Sequence, residues 1–111
     1  MSLTTKKKRY KLSFVVLKEA RKETLKLIDR LSAILSEIHC SDDVCFELLL
    51  SYKTMTKIYL EIIENLINQA DDINPAFFEE DIYLIMNSIF LQTKECKKKL
   101  YDHYNISFEV N

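Results

Sequence analysis

The side chains best suited to chemistry in this chain are two histidines and three cysteines, and their spacing favours no catalytic or metal centre. His39 and Cys40 are adjacent, and Cys45 follows within the same short break between two apolar segments. A four-ligand zinc site would have to recruit Cys96 and His103 from far along the chain, and the intervals match no zinc-finger pattern. Three cysteines are an odd number that does not suit a disulfide framework, so the sequence predicts small buried thiols.

The carboxylates form no recognisable acid–base pair either. Glu61 and Glu64 lie three residues apart on one side of a predicted helix, as residues of a solvated face commonly do. The chain contains no glycine, and phosphate-cradling loops and nucleophile elbows both depend on that residue. We therefore expect a protein without enzymatic activity, cofactor or metal.

Three stretches of apolar residues at helical spacing account for most of the chain. They predict long helices over about residues 12–39, 42–70 and 75–104, and the short connections force neighbouring helices to be antiparallel. The fold class is therefore all-α, an up-down-up antiparallel three-helix bundle that forms a single domain over residues 1–111. The stripes expected in its core are Leu17, Thr24, Ile28, Leu31, Leu35 and Ile38, then Cys45, Leu49, Tyr52, Met55 or Thr56, Tyr59, Ile63, Leu66 and Ala70, then Phe78, Ile82, Ile85, Ile89, Cys96 and Leu100.

Polar residues in the two breaks are of the types that begin helices. Ser41 and the two aspartates after it supply a capping hydroxyl and first-turn carboxylates for the second helix. Asn74 is a capping type, and Pro75 fits the first position of the third helix. At the start of the first helix, residues 14–16 either extend the helix or form a separate turn.

Charge and hydropathy limit the classes of partner. A formal net charge of −1 does not provide the broad positive field of a general nucleic-acid binder. The apolar runs are far shorter than the roughly 18 residues that span a bilayer, and the basic N-terminus leads into no signal-peptide pattern. We expect a cytoplasmic protein. Two basic clusters, within residues 6–9 and 94–99, are interpreted as solvated helix ends or as contacts with an anionic membrane surface or acidic partner.

The third predicted helix is apolar on a second side. Tyr83, Met86 and Phe90 follow helical spacing, about 100° around the helix from the core stripe. They either widen the core face or form part of a docking surface. The same two interpretations apply to Leu27 and Ile34 on the first helix.

The segment from about residue 24 to residue 104 resembles the GAT domain, the three-helix bundle that follows the VHS domain in Golgi and endosomal sorting adaptors. The resemblance depends on Leu27-Ile28-Asp29-Arg30-Leu31 in the first helix and Glu47-Leu48 at the start of the second. It continues in the third helix with Asp81-Ile82-Tyr83 and Met86-Asn87-Ser88-Ile89.

The resemblance implies a trafficking adaptor that binds ubiquitin or ubiquitinated cargo through outer helix faces, peripherally on endosomal or Golgi membranes. Where the family often has acidic residues, this chain has Ser51 and Asn87, which removes charges that would face ubiquitin's basic rim. Residues 1–16 do not reproduce the segment that binds Arf in some relatives, so Arf binding is not expected. The residues implied as partner-binding are Leu27, Leu31, Glu47 and Leu48 in one patch and Tyr83, Asn87 and Phe90 in another.

Two other kinds of helical bundle are alternatives. A BAG-like chaperone cofactor would place charged residues on its contact helix, and the second helix offers Lys53, Lys57, Glu61 and Glu64. A small helical subunit of a larger complex would keep its surplus apolar surface covered by an obligate partner.

Overall fold

The computed structural model describes residues 8–37 and 43–108, and its architecture is the expected all-α three-helix bundle. The helices are α1 (Phe14–Glu37), α2 (Asp43–Gln69) and α3 (Glu80–Tyr104). Two short strands, β1 (Arg9–Leu12) and β2 (Ala76–Glu79), precede α1 and α3. No helix of the described residues is both long and apolar enough to cross a membrane.

The bundle is open along one side. Arg21, in the first half of α1, lies 3.5 Å from the carboxylate of Glu64, near the end of α2, so these helices are antiparallel. α2 packs along both α1 and α3, whereas α1 and α3 approach each other much less. The molecule is accordingly flat, with extents of 58 × 37 × 21 Å.

The α1 helix begins at the N-cap residue Ser13. The Ser13 hydroxyl accepts a hydrogen bond from the Val16 backbone N–H at 3.2 Å, and the Ser13 carbonyl accepts one from Leu17 at 3.0 Å. Residues 14–16 therefore belong to the helix. The predicted break near residues 39–42, with Ile38, His39, Cys40 and the Ser41 cap, lies outside the described residues, as do Lys6 and Lys7.

The prediction that the third helix begins at residue 75 is wrong. Residues 76–79 are extended and pair antiparallel with β1, with Arg9 opposite Glu79 and Leu12 opposite Ala76. Side chains of β2 alternate between buried and exposed, as a half-buried strand requires. The helix begins five residues later than predicted, at Glu80, so Asn74 and Pro75 do not cap it.

The loop between α2 and β2 is organised by Asp71 instead. Its carboxylate accepts hydrogen bonds from the backbone N–H groups of Ile73 at 2.8 Å and Asn74 at 2.7 Å, and its own N–H donates to the Asn74 carbonyl at 2.9 Å. These donors stabilise the charged carboxylate and lower its pKa below the ordinary 3.8. A side chain that accepts hydrogen bonds from the backbone two and three residues later thus stabilises this turn without glycine.

The core consists of two apolar clusters at opposite ends of the bundle. The sheet-end cluster is built around Leu17, Ile63, Leu66, Ala76 and Phe78, with Tyr10, Leu12 and Met86 packed against it. The tail-end cluster is built around Leu31, Ile34, Cys45, Leu49, Tyr52, Leu100 and Phe108.

The segment after α3 folds back into the tail-end cluster. Asn105 adopts the left-handed conformation (φ 55°, ψ 34°), which asparagine tolerates better than most residues, and reverses the chain. Ile106 then donates to the Leu100 carbonyl at 3.1 Å, and Phe108 packs edge-on against Tyr52 with ring centroids 5.2 Å apart. The tail thus closes the bundle at one end as the sheet does at the other.

Candidate functional site

A groove lies between α1 and α3, in the stretch between the two core clusters. We call it the waist groove, and its volume is about 180 Å³. Its floor belongs to α2, and its walls belong to the two outer helices. The lining residues are Thr24 and Leu27 from α1, Thr56 and Tyr59 from α2, and Ile89, Phe90 and Thr93 from α3.

Short threonine side chains keep this groove open. Thr24 donates its hydroxyl hydrogen bond to the Ala20 carbonyl at 2.6 Å, and Thr56 donates to the Tyr52 carbonyl at 2.7 Å. Thr93 donates in the same way to the Phe90 carbonyl at 3.0 Å. Each threonine hydroxyl therefore already has a partner within its own helix.

Larger side chains give the groove its apolar walls. Leu27 is half-buried and packs against the tail-end cluster. Phe90 is 59% exposed on the opposite wall. Tyr59 is half-buried beneath them, and its burial raises the pKa of the phenol. The arrangement provides a mainly apolar recess in which the three threonine hydroxyls already have hydrogen-bond partners.

Two of the predicted partner-binding residues line the waist groove together, and the others lie outside it. Leu27 and Phe90 were assigned from sequence to different patches, yet they line the same groove. The assignment of Leu31 to a patch is wrong, because Leu31 is fully buried in the core and no partner can touch it. Leu48 is half-buried against the tail-end cluster, and Glu47 is exposed on α2.

Tyr83 packs against a residue of the sheet. Its ring stacks on Tyr10 with centroids 4.3 Å apart and planes 5° from parallel, and Tyr10 also stacks on Phe78 at 5.8 Å. Met86 packs against the sheet-end cluster, so it widens the core. Asn87 is exposed and does not line the waist groove.

Sequence reasoning missed a second exposed apolar surface, on the outer side of α3. Leu84 and Leu91 are 55% and 56% exposed and lie seven residues apart, on one side of the helix. Their i, i+7 spacing could have predicted this surface. The sequence prediction instead assigned the apolar residues on the opposite side of the helix to the core.

A larger hollow of about 600 Å³ lies between α3 and the returning tail. Tyr101, Ile106 and Phe108 form its apolar part, while Lys94, Lys97 and Lys98 stand along its edge. Three lysines favour an anionic occupant over a purely aliphatic one. We therefore distinguish this hollow from the waist groove.

The remaining reactive side chains do not converge. Cys45 is buried, and burial raises the pKa of the half-buried Cys96 thiol, which lowers its nucleophilic fraction at neutral pH. Glu64, one of the charges considered for a BAG-like contact, pairs with Arg21. Within residues 8–37 and 43–108, no three potential metal ligands come together.

Comparison with known proteins adds no family to these observations. No family model, curated protein or solved structure matches the chain. A functional assignment therefore depends on the geometry of the grooves and the exposed helix faces.

Proposed function

We propose that this chain is a non-enzymatic protein-interaction domain whose waist groove receives one apolar side chain of a partner. The partner class is ubiquitin or a ubiquitinated cargo protein, as the resemblance to GAT domains implies. By the same resemblance, the domain serves a larger trafficking adaptor that works peripherally at endosomal or Golgi membranes.

The observation that carries this proposal is the convergence of Leu27 and Phe90 on one groove. The resemblance implied that both residues bind a partner, Leu27 in one patch and Phe90 in another, and the structure places both side chains on a single recess. A recess with an exposed aromatic wall and short threonine side chains can accept an inserted apolar group, because the threonine hydroxyls already have hydrogen-bond partners.

The size of the groove sets the scale of the interaction. A cavity of about 150 Å³ holds one benzene-sized group, so 180 Å³ accommodates a single aliphatic or aromatic side chain. One such anchor with a small surrounding contact supports an affinity on the order of micromolar to submillimolar. Clustering of several domains on a membrane would raise the effective affinity.

An NMR titration of the isotope-labelled chain with unlabelled ubiquitin tests the proposal. We expect saturable shifts for the amides around Leu27, Thr56 and Phe90. The substitution Phe90→Ala should weaken binding about tenfold, since it removes one wall of the groove.

Leu91→Ala is the matched control, because Leu91 is adjacent and almost equally exposed but does not line the groove. It should leave ubiquitin affinity unchanged. The absence of shifts at millimolar ubiquitin would refute the proposal, and equal losses from both substitutions would refute the assignment to the groove.

A further inference from the structure

The outer side of α3 carries a linear pattern of acid, leucine, amide, leucine and base. We call it the outer stripe. Its members are separated alternately by four and three residues, so they follow one side of the helix, and every one is exposed. They are Glu80, Leu84, Asn87, Leu91, Lys94 and Lys98.

The outer stripe has no partner within the described chain. The buried α3 residues Ile89 and Leu100 lie on the opposite side of the helix, toward α2. None of the ion pairs within residues 8–37 and 43–108 uses Glu80, Lys94 or Lys98. The charges at both ends of the stripe are thus available to another molecule.

We propose that the outer stripe pairs with the same stripe of a second copy of this chain, with the two α3 helices antiparallel. A two-fold axis at the level of Ile89 places Glu80 opposite Lys98 of the second copy, and by symmetry Lys98 opposite Glu80. The same axis places Leu84 opposite Lys94 and Asn87 opposite Leu91.

Charge selects this occupant and this orientation. A parallel pair would bring the Glu80 side chains together at one end and the lysines together at the other, which is unfavourable. The antiparallel pair joins opposite charges at both ends. In the middle layers of the antiparallel pair, the aliphatic stem of Lys94 from one copy covers Leu84 of the other copy. The ammonium group of that lysine remains in water.

The interface is small and therefore reversible. Two leucines from each copy supply the apolar contact, and the exposed ion pairs contribute mainly orientation, with about 0.2–1 kcal/mol for each pair. Self-association should accordingly depend on concentration and weaken at high salt. The outer stripe and the waist groove lie on different sides of α3, so this inference does not depend on ubiquitin binding.

Analytical ultracentrifugation of the full chain over a range of concentrations tests the inference. We expect a mass that rises from that of one chain, 13.2 kDa, toward that of two. Glu80→Lys and Lys98→Glu should each weaken the dimer about tenfold, because each puts like charges opposite one another at both symmetric contacts.

An equimolar mixture of the Glu80→Lys and Lys98→Glu chains should recover the dimer, since both contacts then join opposite charges again. The chain carrying both substitutions should recover it as well, which provides a second route if one single variant folds poorly. Leu91→Ala should weaken the dimer, whereas Phe90→Ala, the matched substitution on the groove side, should not.

Three results would overturn the inference. They are a monomer at every concentration, a mixture that stays as weakly associated as either charge variant alone, and equal losses from Phe90→Ala and Leu91→Ala. The last would place the contact on another face of α3.

Discussion

Single residues in this chain form tight turns of the kind that glycine often forms in other proteins. Asp71 closes the loop between α2 and β2 with its carboxylate, and Asn105 adopts the left-handed conformation that ends α3. Both carry short side chains with hydrogen-bonding groups, and such residues stabilise turns that other side chains resist. A glycine-free chain can therefore still reverse direction tightly.

The turn at Asp71 should make stability depend on pH. Folding lowers the pKa of the Asp71 carboxyl. The charged carboxylate therefore stabilises the fold above its ordinary pKa, and this stabilisation is lost as the pH falls through the lowered value. We expect Asp71→Ala to reduce the free energy of unfolding at neutral pH, and the difference from wild type to shrink in acid.

Urea unfolding at several pH values measures this difference, and NMR titration of the carboxyl carbon measures the pKa directly. Asp72→Ala is the control, because no hydrogen bond of the turn involves the Asp72 side chain. An Asp71 carboxyl that titrates at the ordinary value of 3.8 would contradict the prediction.

Helices were predictable at the scale of elements because their apolar spacing repeats over many turns. The end of the second helix and the end of the third helix agree with the structure within a residue. The two strands were missed because each has only four residues, and Ala-Phe-Phe-Glu after a proline is equally compatible with a first helical turn. The sequence signal for the sheet was the alternation of charged and apolar residues in Arg-Tyr-Lys-Leu, the segment that forms β1 and pairs with β2.

The C-terminal end of α3 gives a prediction at this scale. Asn105→Gly should leave stability unchanged or raise it slightly, whereas Asn105→Ala should cost about 1 kcal/mol, because a Cβ atom without a compensating polar group disfavours the left-handed conformation. Urea unfolding of both variants measures the difference. Asp102→Ala, an exposed substitution in the last turn of the same helix, is the control. Equal stabilities of the glycine and alanine variants would count against this account.

The whole molecule shows why the candidate site could be predicted only in part. Periodicity identified Leu27 and Phe90 as surplus apolar residues, but it gives the buried side of each helix and not the separation between helices. The waist groove exists because α1 and α3 both pack on α2 and stay apart between the two core clusters. The sheet packs at one end of this gap and the returning tail at the other, and local patterns revealed neither of them.

Filling the groove should separate stability from binding. Thr93→Leu adds apolar volume to the groove, so we expect a gain of about 0.5–1 kcal/mol in unfolding free energy together with loss of the ubiquitin-dependent NMR shifts. Thr54→Leu, at an exposed position on α2 outside the groove, is the matched control for both measurements. A Thr93→Leu chain that still binds with unchanged affinity would show that the partner does not enter the groove.

The two-stranded sheet has a consequence for the order of events during folding. Its strands are separated along the chain by two whole helices, so pairing Arg9 with Glu79 requires a long loop to close. The contacts between α1 and α2 join segments much closer in sequence, and such contacts form sooner. The hairpin of α1 and α2 should therefore assemble early. The two strands should pair last, so that the sheet fixes the N-terminal segment to β2 only after the first two helices have packed together.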